Sequence, residues 1–282
     1  MRVAYNEATC KERSTLDRDV GLCATHGIHE IELRFDMIDR YLAGHTLEQL
    51  RELFIHSGVR PITLNAIFNI NFLDDASRES IRNQMRRACE FGKLLDVHCV
   101  IVLPSDCNAD GSHGEEEIAQ DSVKNLKWIA ELGADADMMI AFEPIGALAR
   151  CVRSVSRAWS IVKATGDRRI GLALDAYNLY QYKALSDVED IGMVDPQRIF
   201  IVHINDAEPS IPYSCLGTFD RRLPGDGAID LKSFVTQLQR AGYDGPYSIE
   251  ILNKPCWERE PEELFETALN KTVAVLAACE KE

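Results

Sequence analysis

The chain has 282 residues, 46% hydrophobic and 27% charged, with a formal net charge of −14. That composition excludes a disordered chain, and the acidic balance opposes the phosphate backbone, so no nucleic-acid partner is expected. No run reaches the roughly 18 apolar residues of a membrane span and the start lacks the apolar stretch of a secretory signal, so no membrane partner and a cytoplasmic location are expected.

In chain order, short apolar runs alternate with longer amphipathic stretches, the pattern of a parallel sheet built from strand-helix units. Strands are predicted at Arg2–Asn6, Glu30–Arg34, Pro61–Ala66, Val97–Pro104, Met138–Glu143, Ile170–Asp175, Ile199–His203 and Tyr247–Leu252. Helices are predicted between and after them at Ser14–His26, Thr46–Ser57, Ser77–Leu95, Glu115–Leu132, Ser154–Ala164, Ala184–Met193, Leu231–Ala241 and Pro261–Ala278. Ser14, Thr46 and Ser154 are placed to cap helix starts, and Gly27, Gly58 and Gly166 to close helix ends. Eight units predict an α/β fold, a (β/α)₈ TIM barrel, with residues 1–282 as one domain, a length such barrels commonly reach. Two long loops, Ser105–Gly114 and Ile204–Gly227, both follow strands and so lie on one face. The nine cysteines are odd in number, scattered and never spaced C-x-x-C, which fits reduced thiols better than disulfides or a zinc knuckle.

In such a barrel the chemistry gathers at the carboxyl ends of the strands. Reading the strand ends gives Asn6, Arg34, Asn65, Pro104, Glu143, Asp175, His203 and Glu250, so the later half supplies three carboxylates and an imidazole. Each terminates an apolar run, where an unpaired charge is costly to bury and a cation resolves that cost. Neighbouring units are neighbours in space, so Glu143, Asp175, His203 and Glu250 can converge on one divalent ion, with Mn²⁺, Mg²⁺, Co²⁺ and Zn²⁺ all compatible with mixed carboxylate and imidazole ligation. Taken singly, a strand-end carboxylate is more often a helix cap or a surface ion pair than a ligand. His203 carries the most weight, because His26, His29, His45, His56, His98 and His113 fall in helices, loops or strand beginnings. Asp206 and Glu208 are alternative ligands whose loop position suggests a solvated role.

The segment from Asp220 to Asp230 presents two arginines before a Pro-Gly turn. Arg221 or Arg222 can fork onto substrate oxygens, or pair with Asp220 or Asp226 to stiffen the loop. No dinucleotide or phosphate-loop pattern appears, and no G-x-S-x-G elbow.

The motifs Tyr5-Asn-Glu-Ala-Thr9, Leu64-Asn-Ala66, Ile199-Phe-Ile-Val-His-Ile-Asn-Asp206 and Pro224-Gly-Asp-Gly-Ala-Ile-Asp-Leu231 carry a resemblance that spans nearly the whole chain. The sequence resembles the xylose-isomerase-like sugar isomerases and epimerases, which share their barrel with endonuclease IV, and within them the inosose (2-keto-myo-inositol) isomerases of inositol catabolism. The resemblance implies Glu143, Asp175, His203 and Glu250 as metal ligands, and Glu143 and Glu250 also as the acid and base of proton transfer. It further implies Arg221 as a substrate contact, with Asn65 and Asn178 beside it. The implied reaction moves the carbonyl of a polyhydroxy-ketone through an enediolate. Many relatives carry a histidine three residues after the strand aspartate, where this chain has Asn178. An amide can hydrogen-bond a hydroxyl there but does not shuttle a proton at neutral pH. The rival readings are a ketose 3-epimerase, a dehydratase of the inosose or 3-dehydroshikimate type, an endonuclease-IV-like phosphodiesterase, and a sugar-binding barrel without turnover. The partner is in every enzymatic case but the phosphodiesterase a small polyol-ketone or ketose, and homo-oligomerisation is left open.

Overall fold

The computed structural model describes residues 1–106 and 113–280. Its eight barrel strands are β1 (Arg2–Asn6), β2 (Glu30–Arg34), β3 (Arg60–Ile67), β4 (Cys99–Val102), β5 (Met139–Phe142), β6 (Ile170–Asp175), β7 (Ile199–Ile204) and β10 (Pro246–Ile249). All pair in parallel, and β1 closes the barrel against β10, with Arg2 opposite Pro246 and Tyr5 opposite Ile249. The predicted TIM barrel is therefore the observed one. Strand alternation sorts the side chains: Ile140 and Phe142, Leu172 and Leu174, Val202 and Ile204 face the helices, while Ala141, Ala173, Ile201, Cys99 and Ile101 fill the lumen as a separate apolar cluster. Two residues further along the inward rows come Glu143, Asp175 and His203. The small apolar lumen is thus the floor of whatever these residues build.

The outer helices are α1 (Leu16–Thr25), α2 (Phe35–Leu42), α3 (Leu47–Ser57), α4 (Asp75–Leu95), α5 (Glu115–Leu132), α6 (Val155–Thr165), α7 (Ala176–Lys183), α8 (Leu231–Ala241), α9 (Lys254–Trp257) and α10 (Pro261–Cys279). Thr46 caps α3 in a reciprocal capping box with Gln49, and Ser154 accepts the Arg157 N–H at the start of α6. Gly58 and Gly166 end their helices in the left-handed conformation. Ser14 does not cap: α1 begins two residues later, and the Ser14 hydroxyl instead donates to the buried Asp19 carboxylate at 2.5 Å. The helix predicted at Ala184–Met193 also moves. The chain turns helical directly after β6, because Asp175 is both strand end and cap, accepting the Asn178 N–H at 2.7 Å. Ala184 and Leu185 then take positive φ, and only a 3₁₀ turn at Val188–Met193 remains of the predicted segment.

The long loop after β7 is not featureless. Asp206–Ala207 (β8) and Arg221–Arg222 (β9) form a two-stranded antiparallel ribbon, with Ala207 opposite Arg221. The loop predicted at Ser105–Gly114 is described only at its ends, since residues 107–112, Cys107 among them, lie outside the described residues. Cys10, Cys23, Cys89, Cys99, Cys215 and Cys256 are free thiols, in keeping with the reduced reading. Among the described residues no helix is long and apolar enough to cross a membrane.

Asp19 supplies a test of the packing around α1. Burial pushes its carboxyl up to about 7, against the pull of the Ser14 hydroxyl bond. The folded protein thus holds this proton more tightly than the unfolded chain, whose aspartates titrate near ~4, so this group's contribution to stability is complete below about pH 4 and is lost as pH rises to about 7. Asp19→Asn, which keeps an oxygen for Ser14, is expected to flatten that dependence and to add a few kcal/mol at pH 8 relative to wild type, read by urea denaturation at pH 5 and pH 8.

Candidate functional site

Glu143, Asp175, His203 and Glu250 meet in the lumen at the carboxyl end of the barrel, and all four are buried. Donor atoms of Glu143, Asp175 and His203 lie within 4.8 Å of one another. The centre of the group is Nδ1 of His203, which stands 3.7 Å from Glu143 Oε1, 3.8 Å from Asp175 Oδ2 and 3.5 Å from Glu250 Oε2. That nitrogen is buried and has no hydrogen-bond partner, although three carboxylates face it. Donors converging at this spacing with an orphaned nitrogen among them are what a divalent ion with bonds of about 2.0–2.2 Å needs.

Charge gives the same answer. Counting Glu32, four carboxylates are enclosed with one guanidinium, Arg221, and one imidazole. Burial pushes the Glu250 carboxyl up to about 7, against the pull of His203 and Arg221. Burial also draws His203 toward its neutral form, but Glu32 and Glu250 outweigh it and hold the imidazole well above its ordinary value. An excess of buried carboxylates over positive groups is the setting in which a bound cation would supply the missing charge.

The neighbours fix how the carboxylates point. Asn178 Nδ2 donates to Glu143 Oε1 at 2.8 Å. Asn205 Nδ2 donates to Asp175 Oδ2 at 2.7 Å, while Asp175 Oδ1 serves the cap of α7. Asn6 and Asn65 donate to Glu250 Oε1 at 3.2 and 3.4 Å, leaving Oε2 turned toward His203. Asn65 and Asn178 therefore touch the predicted ligands directly, a contact that strand-end reading did not distinguish from contact with substrate.

Arg221 is buried on β9, with its guanidinium 4.4 Å above the Tyr177 ring, one nitrogen 3.5 Å from Asp175 Oδ2 and 3.9 Å from Glu250 Oε2. Its Nη1 donates to the Thr218 carbonyl at 3.0 Å. Arg222 pairs with Glu208 rather than with Asp220 or Asp226, which are engaged by the Gly217 N–H and by Lys271. Asp206 and Glu208, the alternative ligands, are engaged elsewhere, Glu208 by Arg222. Asp206 is buried, and its carboxylate accepts the backbone N–H groups of Ala207, Gly225 and Ile229, binding the Pro-Gly turn to the ribbon. The residue that sequence reading missed is Glu32, buried on the lumen side of β2 and 3.0 Å from His203 Nε2.

Above the cluster opens a cavity of about 230 Å³, lined by Glu143, Glu250, Arg221, Asn65 and Asn178 and walled by apolar side chains such as Phe68 and Leu103. This is below the volume of sites for drug-sized ligands, which restricts the occupant to a small molecule. The segment over it is tied down, since Gln181 Nε2 donates to the Leu216 carbonyl at 2.5 Å and the Tyr177 hydroxyl to that of Gly217. At the rim, Arg34 pairs with Asp36 at 3.0 Å and Arg150 with Asp106 at 3.1 Å.

Residues 20–274 match the family described as the xylose isomerase-like TIM barrel. The chain belongs to that family. Within the xylose isomerase-like TIM barrels, it is 31% identical to an inosose isomerase of Halalkalibacterium halodurans over 278 residues, 98% of this chain and 97% of the relative. Likeness to an inosose isomerase of Bacillus subtilis is again 31% over 278 residues, covering 98% of each chain. A solved structure described as the IOLI protein with a binding zinc atom superposes over 100% of both chains with a TM-score of 0.94 at 31% identity. As a family member of this length, the chain has its polar cluster at the barrel end where the fold places chemistry.

Proposed function

We propose that the chain is a divalent-metal-dependent isomerase of inosose or a closely similar polyhydroxy-ketone, acting in inositol catabolism in the cytoplasm. The observation that carries this reading is the convergence of Glu143, Asp175 and Glu250 on the orphaned Nδ1 of His203, beneath a small cavity, in a chain similar over 98% of its length to inosose isomerases. Those four residues would hold one ion. A divalent ion bound there would stabilise negative charge developing on adjacent substrate oxygens and so lower the cost of an enediolate.

The protein's own groups supply the remainder. Glu143 and Glu250 border the cavity just past the ends of β5 and β10, and in this reading they would take a proton from one carbon and return it to its neighbour. Arg221, fixed by Tyr177 and the Thr218 carbonyl, offers its guanidinium to substrate oxygens, and Asn65 and Asn178 keep the glutamates aimed. The rim arginines are already paired with Asp36 and Asp106, which supports an uncharged polyol-ketone over a carboxylate-bearing substrate.

The test is direct. With Mn²⁺, Co²⁺ or Zn²⁺ present, 2-keto-myo-inositol in deuterated buffer should lose its α-proton signal and give an isomeric ketone by proton NMR. A product epimeric at the α-carbon would make the enzyme an epimerase, and a conjugated enone absorbing in the ultraviolet would make it a dehydratase. An unchanged spectrum with metal bound would sink the reading.

A further inference from the structure

We infer that Glu32 is a positioning residue of the metal centre: it holds the Nε2–H of His203 and so commits Nδ1 of that ring to the ion. The inference rests on the reading of His203 as a ligand and goes beyond it by giving a role to the first three strands of the barrel, which contribute none of the four ligands.

Glu32 lies inside the barrel on β2, and its carboxylate is wholly buried. A charge in that position is expensive unless every lone pair is used. Three donors reach it: His203 Nε2 at 3.0 Å, the Thr63 hydroxyl at 2.5 Å and Asn6 Nδ2 at 3.1 Å. They come from β7, β3 and β1, so the carboxylate is held in one orientation from three sides of the lumen. Its contact with His203 joins residues 171 apart in the chain, and no packing demand of β2 alone calls for a carboxylate there.

An imidazole offers a lone pair from only one nitrogen at a time, and the other carries hydrogen. Glu32 accepts on the Nε2 side, so the neutral ring presents its lone pair at Nδ1, the nitrogen facing Glu143, Asp175 and Glu250. A carboxylate behind a metal-ligating histidine also makes the ring a better donor, and removal of such a partner typically costs about 10–100-fold in metal affinity. Asn6 extends the arrangement, because the same Nδ2 that donates to Glu32 also reaches Glu250 Oε1 at 3.2 Å.

The experiment measures zinc and cobalt affinity by chelator competition in wild type, Glu32→Ala, Glu32→Gln and His203→Ala, with folding checked by circular dichroism. Glu32→Ala should weaken metal binding about 10–100-fold, and Glu32→Gln should fall between it and wild type, because an amide oxygen still accepts from Nε2–H without the charge. In zinc-loaded protein labelled with ¹⁵N-histidine, His203 should show a protonated Nε2 in wild type and in Glu32→Gln, with faster solvent exchange of that hydrogen in Glu32→Ala. Should Glu32→Ala not fold, Glu32→Gln and the wild-type tautomer decide the matter. Metal affinity within twofold of wild type in a folded Glu32 variant, or zinc on Nε2, overturns the inference. Failure of His203→Ala to weaken metal binding would instead overturn the assignment of the ligands.

Discussion

His203→Ala is expected to release the ion and to lower kcat/KM by about 10³-fold or more. The ring occupies the middle of the ligand group, with three carboxylate oxygens 3.5 to 3.8 Å from Nδ1. Without it the remaining donors are carboxylates alone, closely spaced and mutually repelling, and burial of their charge would have to be met by protonation. Loss of an ion's stabilisation of substrate charge is worth several kcal/mol, and about 4 kcal/mol corresponds to 10³ in rate. Elemental analysis of the dialysed variant and steady-state kinetics with added Zn²⁺, Mn²⁺ and Co²⁺ provide the check. Near wild-type turnover with no bound metal would refute the metal-dependent reading.

Glu250→Gln is the second large effect. An amide can still offer an oxygen toward the ion, but it cannot carry the proton between substrate carbons, so kcat should fall about 10²–10⁴-fold while KM changes little. Exchange of the substrate's α-proton with deuterated solvent should disappear in parallel. The variant must be shown to retain its metal, since Asn6 and Asn65 both donate to Glu250 Oε1 and an amide rotated to suit them differently would alter ligation as well as proton transfer. Persistent exchange in a metal-loaded Glu250→Gln would remove Glu250 from the proton path and leave Glu143 as the remaining carrier.

The barrel was legible because both faces of its strands are buried, which forces apolar runs short enough to count, and because helices between them carry recognisable caps. Helices that lacked such punctuation were not. α2 begins at Phe35 directly after β2 with no side-chain cap, and α7 is initiated by Asp175, a residue already spent as a strand end. The ribbon of Asp206–Ala207 with Arg221–Arg222 is two residues deep, too short for any alternation to show. Glu143, Asp175, His203 and Glu250 stood out as charges closing apolar runs. Glu32 did not, because Glu30-Ile-Glu-Leu-Arg34 reads as an ordinary half-exposed strand with polar and apolar residues alternating. In a closed parallel barrel that reading fails, since the polar row faces the lumen and not water. A carboxylate there needs partners, and those are visible only once β1, β3 and β7 are placed around it.

Glu143 and Asp175 are oriented by Asn178 and Asn205 of the later half, but Glu250 by Asn6 and Asn65 of the earliest strands, with Asn6 and Glu250 separated by 244 residues. A contact of such sequence separation is made in this fold across the seam where β1 pairs with β10, and contacts of this kind slow folding. The alignment of Glu250 by Asn6 is therefore a property of the closed ring, since Asn6 lies on β1 and Glu250 just past β10. By mass action, an ion that binds the closed barrel more tightly than an open one stabilises closure itself.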